Sequence, residues 1–160
     1  MPGNRLVHSR AIGVDRHPLT TTAVRYLVDA NVLSEATKPK PDAHVVAWLT
    51  RAERELVVDP IILGELRFGI LLLPRGQRRR RLERWFEEGA ARLQCIAWDS
   101  ATGLRWATLL AELRAAGQVM PIKDSLIAAT ALTHGLAIAT LNVRDFKAAG
   151  VELIDPARVA

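Results

Sequence analysis

The chain has 160 residues, 49% of them hydrophobic and 24% charged, and its 22 Lys plus Arg against 17 Asp plus Glu give a formal net charge of +5 at pH 7. That length holds one compact domain, and the composition is that of a globular chain and excludes overall disorder. The single cysteine, Cys95, excludes an internal disulfide framework, scattered histidines argue against structural zinc, and the basic surplus favours an anionic partner such as nucleic acid.

Residues 1–24 carry Pro2, Gly3, Pro18 and a Thr triplet without sustained periodicity, and read as a loose N-terminal extension or the product of an early start codon. They lack the continuous apolar run of a signal peptide. The reducing cytoplasm is the expected compartment. Arg25 to Val28 then reads as a buried strand broken by Asp29-Ala30-Asn31. Pro39, Pro41 and Asp42 announce a helix with Val45, Val46, Trp48 and Leu49 on its apolar face. Leu56 to Val58 is a second strand, Ile61 to Leu73 a helix stopped by Pro74 and Gly76, and Gln77 to Arg92 a charged helix with Leu82, Trp85 and Phe86 inward. Leu93 to Trp98 is a third strand candidate. Ser100 is the expected N-cap of a long helix closed by Gly117.

The last third repeats the alternation: helix from Pro121 to Thr133, Gly135 at its C-terminal end, strand from Leu136 to Thr140, short helix from Val143 to Ala149, and a final strand from Val151 to Ile154. The uncharged stretch Ser125 to Val143 holds His134, Gly135 and Asn142, so helix plus strand explains it better than a membrane span. Strands alternating with helices predict an α/β domain with a mostly parallel central sheet and helices on both faces.

In such sheets chemistry gathers beyond the carboxyl ends of the strands. Asp29 directly follows Tyr26-Leu27-Val28; capping of the next turn is an equally good account of it. Glu65 lies on a line with Phe68, Gly69 and Leu72 in a helix apolar over most of its circumference, where a carboxylate needs a cation or donor, an unseen Arg being the plain alternative. Asp124 aligns with Ile127, Ala128 and Ala131, and is also a favourable first-turn acid. Asp145, with Asn142 nearby, taken alone reads as a solvated acid paired with Arg144 or Lys147. Together, carboxylates without His or Cys select a hard divalent ion, Mg²⁺ or Mn²⁺, which activates water for phosphodiester cleavage.

Four ordered segments, Asp29-Ala30-Asn31-Val32-Leu33-Ser34-Glu35, Gly64-Glu65-Leu66-Arg67-Phe68-Gly69-Ile70, Pro121-Ile122-Lys123-Asp124-Ser125-Leu126-Ile127-Ala128-Ala129-Thr130-Ala131 and Thr140-Leu141-Asn142-Val143-Arg144-Asp145-Phe146, resemble PIN-domain proteins, most closely the VapC and FitB toxins of bacterial toxin–antitoxin pairs. The resemblance runs from about Tyr26 to Pro156 and assigns residues 25–160 to a PIN domain. It implies a Mg²⁺-dependent endoribonuclease, with Mn²⁺ as a substitute, held in check by a VapB-like antitoxin and forming homodimers and toxin–antitoxin hetero-oligomers. The family's acids fall on Asp29, Glu65 and Asp124, which would hold metal and position an attacking water. Asn31 and Thr140 would support them. Ala30 and Ile62 stand where the family commonly has Thr. Asn142 stands where some relatives have a fourth Asp, leaving that position to Asn142 or Asp145. The alternative function is a catalytically weakened PIN-like RNA-binding module.

Lys123, Arg78 and Arg79 are candidate RNA contacts, although for the Arg78 to Arg81 run a solvated helix face opposite Glu83, Glu87 and Glu88 is the favoured account. The four Trp residues read as core packing, Cys95 as a buried inert thiol, and His44 and His134 as surface or terminal residues. An Asp-nucleophile phosphatase would need an acid at Asn31. A nicotinamide site would need a Gly-x-Gly-x-x-Gly after the first strand, which is missing. An apolar groove near Leu71 to Pro74 and the helix at Val45 to Leu49 would receive the antitoxin.

Overall fold

The computed structural model describes residues 23–159, and nearly all of the N-terminal extension lies outside the described residues. Five short strands form one sheet: β1 (Tyr26–Val28), β2 (Leu56–Val58), β3 (Gln94–Cys95), β4 (Ala137–Ala139) and β5 (Leu153–Ile154). The order is β3-β2-β1-β4-β5 and every pairing is parallel, with Val28 opposite Ala139 and Leu27 opposite Val57. All residues of β2 and β4 are buried, as expected of parallel strands covered on both faces. Among the described residues seven α-helices connect them: α1 (Ala30–Glu35), α2 (Ala43–Ala52), α3 (Pro60–Leu71), α4 (Gln77–Glu88), α5 (Ser100–Ala115), α6 (Ile122–His134) and α7 (Val143–Phe146). Among the described residues no helix is long and apolar enough to cross a membrane.

The core centres on Leu27, Val28, Val57, Val58, Ile127 and Ile138, with Leu109 of α5 and Phe146 of α7 sealing it. Because the chain steps from β1 outward to β2 and β3 and then returns to place β4 on the other side of β1, the strand order reverses between β1 and β4. A crevice opens there at the carboxyl edge, where open parallel sheets place their ligands.

Several local expectations change. Asp29-Ala30-Asn31 begins the short helix α1 instead of a plain turn, with Asp29 as its N-cap accepting from the Ala30 N–H. The N-cap of α5 is Asp99, not Ser100; its carboxylate accepts from the backbone and hydroxyl of Thr102, and these bonds hold it below the usual carboxylate range. The charged helix stops at Glu88 because Gly89 turns the chain so tightly that a Cβ there would lie 2.9 Å from the Trp85 carbonyl oxygen. Cys95 is exposed, since β3 is an edge strand and not an interior one. Of the tryptophans only Trp48 is fully in the core; Trp85, Trp98 and Trp106 are half-buried. Val46 points outward while Val45 and Trp48 are buried, so α2 spends its apolar face on the core.

Candidate active site

One side chain links the carboxyl ends of β1 and β4. Thr140, fully buried just beyond β4, donates its hydroxyl to Asp29 Oδ2 at 2.8 Å, while the Ala30 N–H donates to Asp29 Oδ1 at 2.8 Å. The same Thr140 oxygen accepts from the Asn142 backbone N–H at 3.0 Å and faces Asn31 Nδ2 at 3.4 Å. Asn31 Oδ1 in turn accepts from the Leu141 N–H at 3.1 Å. The segment after β4 is thereby tied to α1, and both oxygens of Asp29 are fixed. Burial pushes the Asp29 carboxyl above its usual value; the Thr140 and Ala30 donors oppose that, and the nearby Glu65 adds to it.

Glu65 reaches the crevice from α3 and Asp124 from the first turn of α6. The surface of α3 differs from a buried line: Phe68 is 63% and Leu72 68% exposed, so Glu65 sits at the margin of an open apolar face. Its partner is Lys123, not an arginine, with Nζ 2.6 Å from Oε1. Glu65 Oε2 is buried and has no hydrogen-bond partner. The Asp124 carboxyl is pushed up to about 6, first by burial and then by the charges of Asp29 and Asp145, with Lys123 pulling the other way and Glu65 adding to the rise. That mutual effect places Asp29, Glu65, Asp124 and Asp145 in one electrostatic neighbourhood although they come from four separate elements.

The first turn of α6 is held from behind by two tryptophans. Trp106 Nε1 donates to Ser125 Oγ at 3.0 Å, Ser125 donates to the Ile122 carbonyl at 2.6 Å, and Trp98 Nε1 donates to the Leu126 carbonyl at 3.3 Å. The two rings meet edge to face, 6.3 Å between centroids. This clamp, unforeseen in the sequence because its partners are distant in the chain, fixes the turn that presents Lys123 and Asp124.

Asp145 is exposed on α7, anchored by the fully buried neighbour Phe146, and forms no ion pair with Arg144 or Lys147. Asn142 is exposed, and its side chain caps no helix. Arg78 lines a groove of about 540 Å³ with Asn31, Glu65, Lys123, Phe68 and Trp85. Arg79 is turned to Glu83, at 3.1 Å, and to the Leu73 carbonyl. Leu73 belongs to the same groove, whereas Val45 and Trp48 are in the core and Leu49 lines a separate cavity of about 400 Å³.

One buried acid was not foreseen as special. Asp59 follows β2 as Asp29 follows β1; it caps α3 through the Ile62 N–H at 2.9 Å and accepts from Thr130 at 2.8 Å. It is fully buried, which raises its pKa, and it lies away from the strand-order reversal.

The donor set suits a hard divalent cation: carboxylates only, no sulfur or imidazole, and one buried carboxylate oxygen of Glu65 without a partner. As posed, with Lys123 on Glu65, no three acidic, His or Cys side chains among the described residues close around a single point.

Comparison with known proteins agrees with this fold. Residues 26–152 match the PIN domain family. The chain is 35% identical over 134 residues to the VapC ribonuclease Y4jK of Sinorhizobium fredii, covering 81% of this chain and 96% of that protein. It is 33% identical, over the same shares, to the toxin FitB of Neisseria gonorrhoeae. A crystal structure of FitAcB from Neisseria gonorrhoeae superposes with a TM-score of 0.76 at 31% identity, covering 84% of this chain and 99% of the other.

Proposed function

The chain belongs to the PIN-domain family, and from that membership and the carboxylate crevice we propose that it is a metal-dependent endoribonuclease, the toxin of a toxin–antitoxin pair. The observation that supports it most directly is the mutual electrostatic influence of Asp29, Glu65 and Asp124 near the reversal of strand order, where burial and like charge raise Asp29 and bring Asp124 to about 6. A bound cation would relieve that repulsion.

Asp29, Asp124 and Glu65 would hold Mg²⁺, or Mn²⁺ in its place, with Asp145 rather than the uncharged Asn142 as the supplementary acid. The ion supplies water activation and charge stabilisation for an in-line displacement at phosphorus. Thr140 and Asn31 orient the Asp29 carboxylate and hold the β4 end against α1. Lys123 carries the positive charge that acts on Asp29, Glu65 and Asp124 and would bind a phosphate oxygen of the RNA; Arg78 would extend that contact along its groove.

The antitoxin partner follows from the relatives' names and from the apolar surface beside the site. Phe68 and Leu71 of α3 and its C-cap Leu72 are exposed, and the adjoining groove combines Leu73, Leu82 and Trp85 with Arg78. A VapB-like helix or arm would cover this surface and silence the acids. A homodimer and a toxin–antitoxin hetero-oligomer are the expected assemblies.

The test is cleavage of a mixed structured RNA pool with Mg²⁺ or Mn²⁺, using protein freed of antitoxin, against EDTA and Asp29→Asn controls. Cleavage lost in both controls is the expected result. RNA binding without cleavage under any divalent ion would favour a weakened binding module, and cleavage surviving Asp29→Asn would mean the site is misplaced.

A further inference from the structure

We propose that the groove beside α7 and β5, about 690 Å³ and lined by Asn142, Arg144, Asp145, Lys147 and Arg158, binds the sugar–phosphate backbone of the RNA segment on one side of the scissile bond. The inference rests on the ribonuclease reading and adds a second substrate tract to it.

The groove adjoins the acid cluster. Asp145 forms part of its wall and is one of the charges acting on Asp124. Thr140 Oγ1 binds the backbone N–H of Asn142, in this groove, and faces Asn31 Nδ2, in the groove that also holds Glu65, Lys123 and Arg78. Two grooves therefore flank one buried hydroxyl and the Asp29 carboxylate it holds. A single strand whose scissile phosphate lies over the acids must continue into both.

The lining suits a phosphodiester chain. Arg144 and Lys147 are exposed and engage no acid. Arg158 is tied to Asp155 at 3.3 Å, but its side chain remains 87% exposed, so most of its donors face solvent. The Asn142 side chain, unused in capping, offers an amide at the mouth, and Leu141, Val143 and Leu153 give apolar surface for sugars or bases. Asp155 is paired with Arg158 and Asp145 is shared with the acid cluster, so Arg144 and Lys147, neither in an ion pair, leave the lining with an excess of one positive charge. Cations in that position act on the strand through counterion release, independent of sequence.

The test uses a non-cleaved complex: the full chain carrying Asp29→Asn, a single-stranded RNA oligonucleotide, and binding measured across a salt series. Arg144→Glu with Lys147→Glu is compared with Arg80→Glu plus Arg84→Glu on α4, a charge-matched pair away from this groove; circular dichroism and thermal melts verify folding. The expected result is an affinity loss of about tenfold or more for the first pair and a salt slope shallower by about 1.4, two phosphate contacts at about 0.7 each on a single strand. In the cleaving background kcat/KM falls for long substrates, while the shortest cleavable oligonucleotide is little affected. An affinity loss no greater than that of the α4 pair overturns the inference. So does unchanged RNA affinity with lost binding of an oligoglutamate peptide, which would make the groove a surface for an acidic protein segment. Absence of cleavage by the wild-type protein would count against the ribonuclease reading itself, a result separable from the binding comparison.

Discussion

Lys123 Nζ lies 2.6 Å from Glu65 Oε1, joining the first turn of α6 to α3 across the mouth of the acid crevice. The Glu65 hydrogen bond holds the lysine ammonium above its usual pKa, and the lysine in turn lowers Asp124. The carboxylates thus carry an internal counter-cation, which would compete with a divalent ion for Glu65.

Lys123→Met is therefore expected to separate metal binding from substrate binding. The pair is partly solvated, with side chains 51% and 30% exposed, so it contributes on the order of 0.2–1 kcal/mol. Removing the competing charge is expected to tighten Mn²⁺ binding by up to about fivefold, while RNA affinity falls and its salt slope becomes shallower by about 0.7. Mn²⁺ titration by calorimetry and an RNA salt series measure the two effects. Weaker Mn²⁺ binding in the variant would show that the lysine supports the metal site instead of opposing it.

Thr140→Val keeps the volume and deletes the hydroxyl. Asp29 Oδ2 then loses its donor and the Asn142 N–H its acceptor, at a cost of about 1–3 kcal/mol in urea denaturation. Divalent-ion affinity is expected to fall about tenfold or more, because the ligand carboxylate is no longer oriented and its pKa rises further. Thr140→Ser should restore most of both. Full metal affinity in the valine variant would remove Thr140 from the site's support.

The raised pKa of Asp124 has a defined sign. Its folded value, about 6, exceeds the 3.8 of an unperturbed aspartate, so the folded state binds the proton more tightly and the metal-free protein loses stability as pH rises between those values. Asp124→Asn, which cannot ionise, is expected to be more stable than wild type above pH about 6, with the difference shrinking toward pH about 4. The same variant should be inactive, a stability gain at the expense of function. Metal binding to the wild type should strengthen as pH rises through about 6, since the proton and the ion compete for one carboxylate. Thermal melts with and without Mg²⁺ from pH 4 to 8 test this. A pH-independent difference between the two proteins would refute it.

Asp59 is expected to matter for the fold alone. Asp59→Ala leaves the Ile62 N–H and the Thr130 hydroxyl buried without their partner and should cost about 2–3 kcal/mol. Asp59→Asn keeps an acceptor for Ile62 and an amide toward Thr130, and should stay within about 1 kcal/mol of wild type. Neither should alter RNA cleavage per folded molecule. Loss of divalent-ion binding by folded Asp59→Asn would extend the active site beneath α3.

The sequence by itself determined the alternation of strands and helices, because short β-branched apolar runs and helical stripes ended by Pro74, Gly117 and Gly135 are local signals. It also selected Asp29, Glu65 and Asp124 as out of place, and its motifs carried the family resemblance. Apart from that resemblance, local pattern does not separate Asp29 from Asp59, since each follows a three-residue strand and caps the next helix. Strand order decides between them: β1 borders β4 at the reversal, while β2 lies between β1 and β3. Nor could it find the lysine on Glu65, the two tryptophans behind α6, or the exposure of Cys95 on an edge strand. Those depend on which residues, 28 to 111 positions apart in the Trp98–Leu126 and Asp29–Thr140 bonds, are brought together by packing. Periodicity specifies which side of an element is apolar; what that side meets is fixed only when the sheet is assembled.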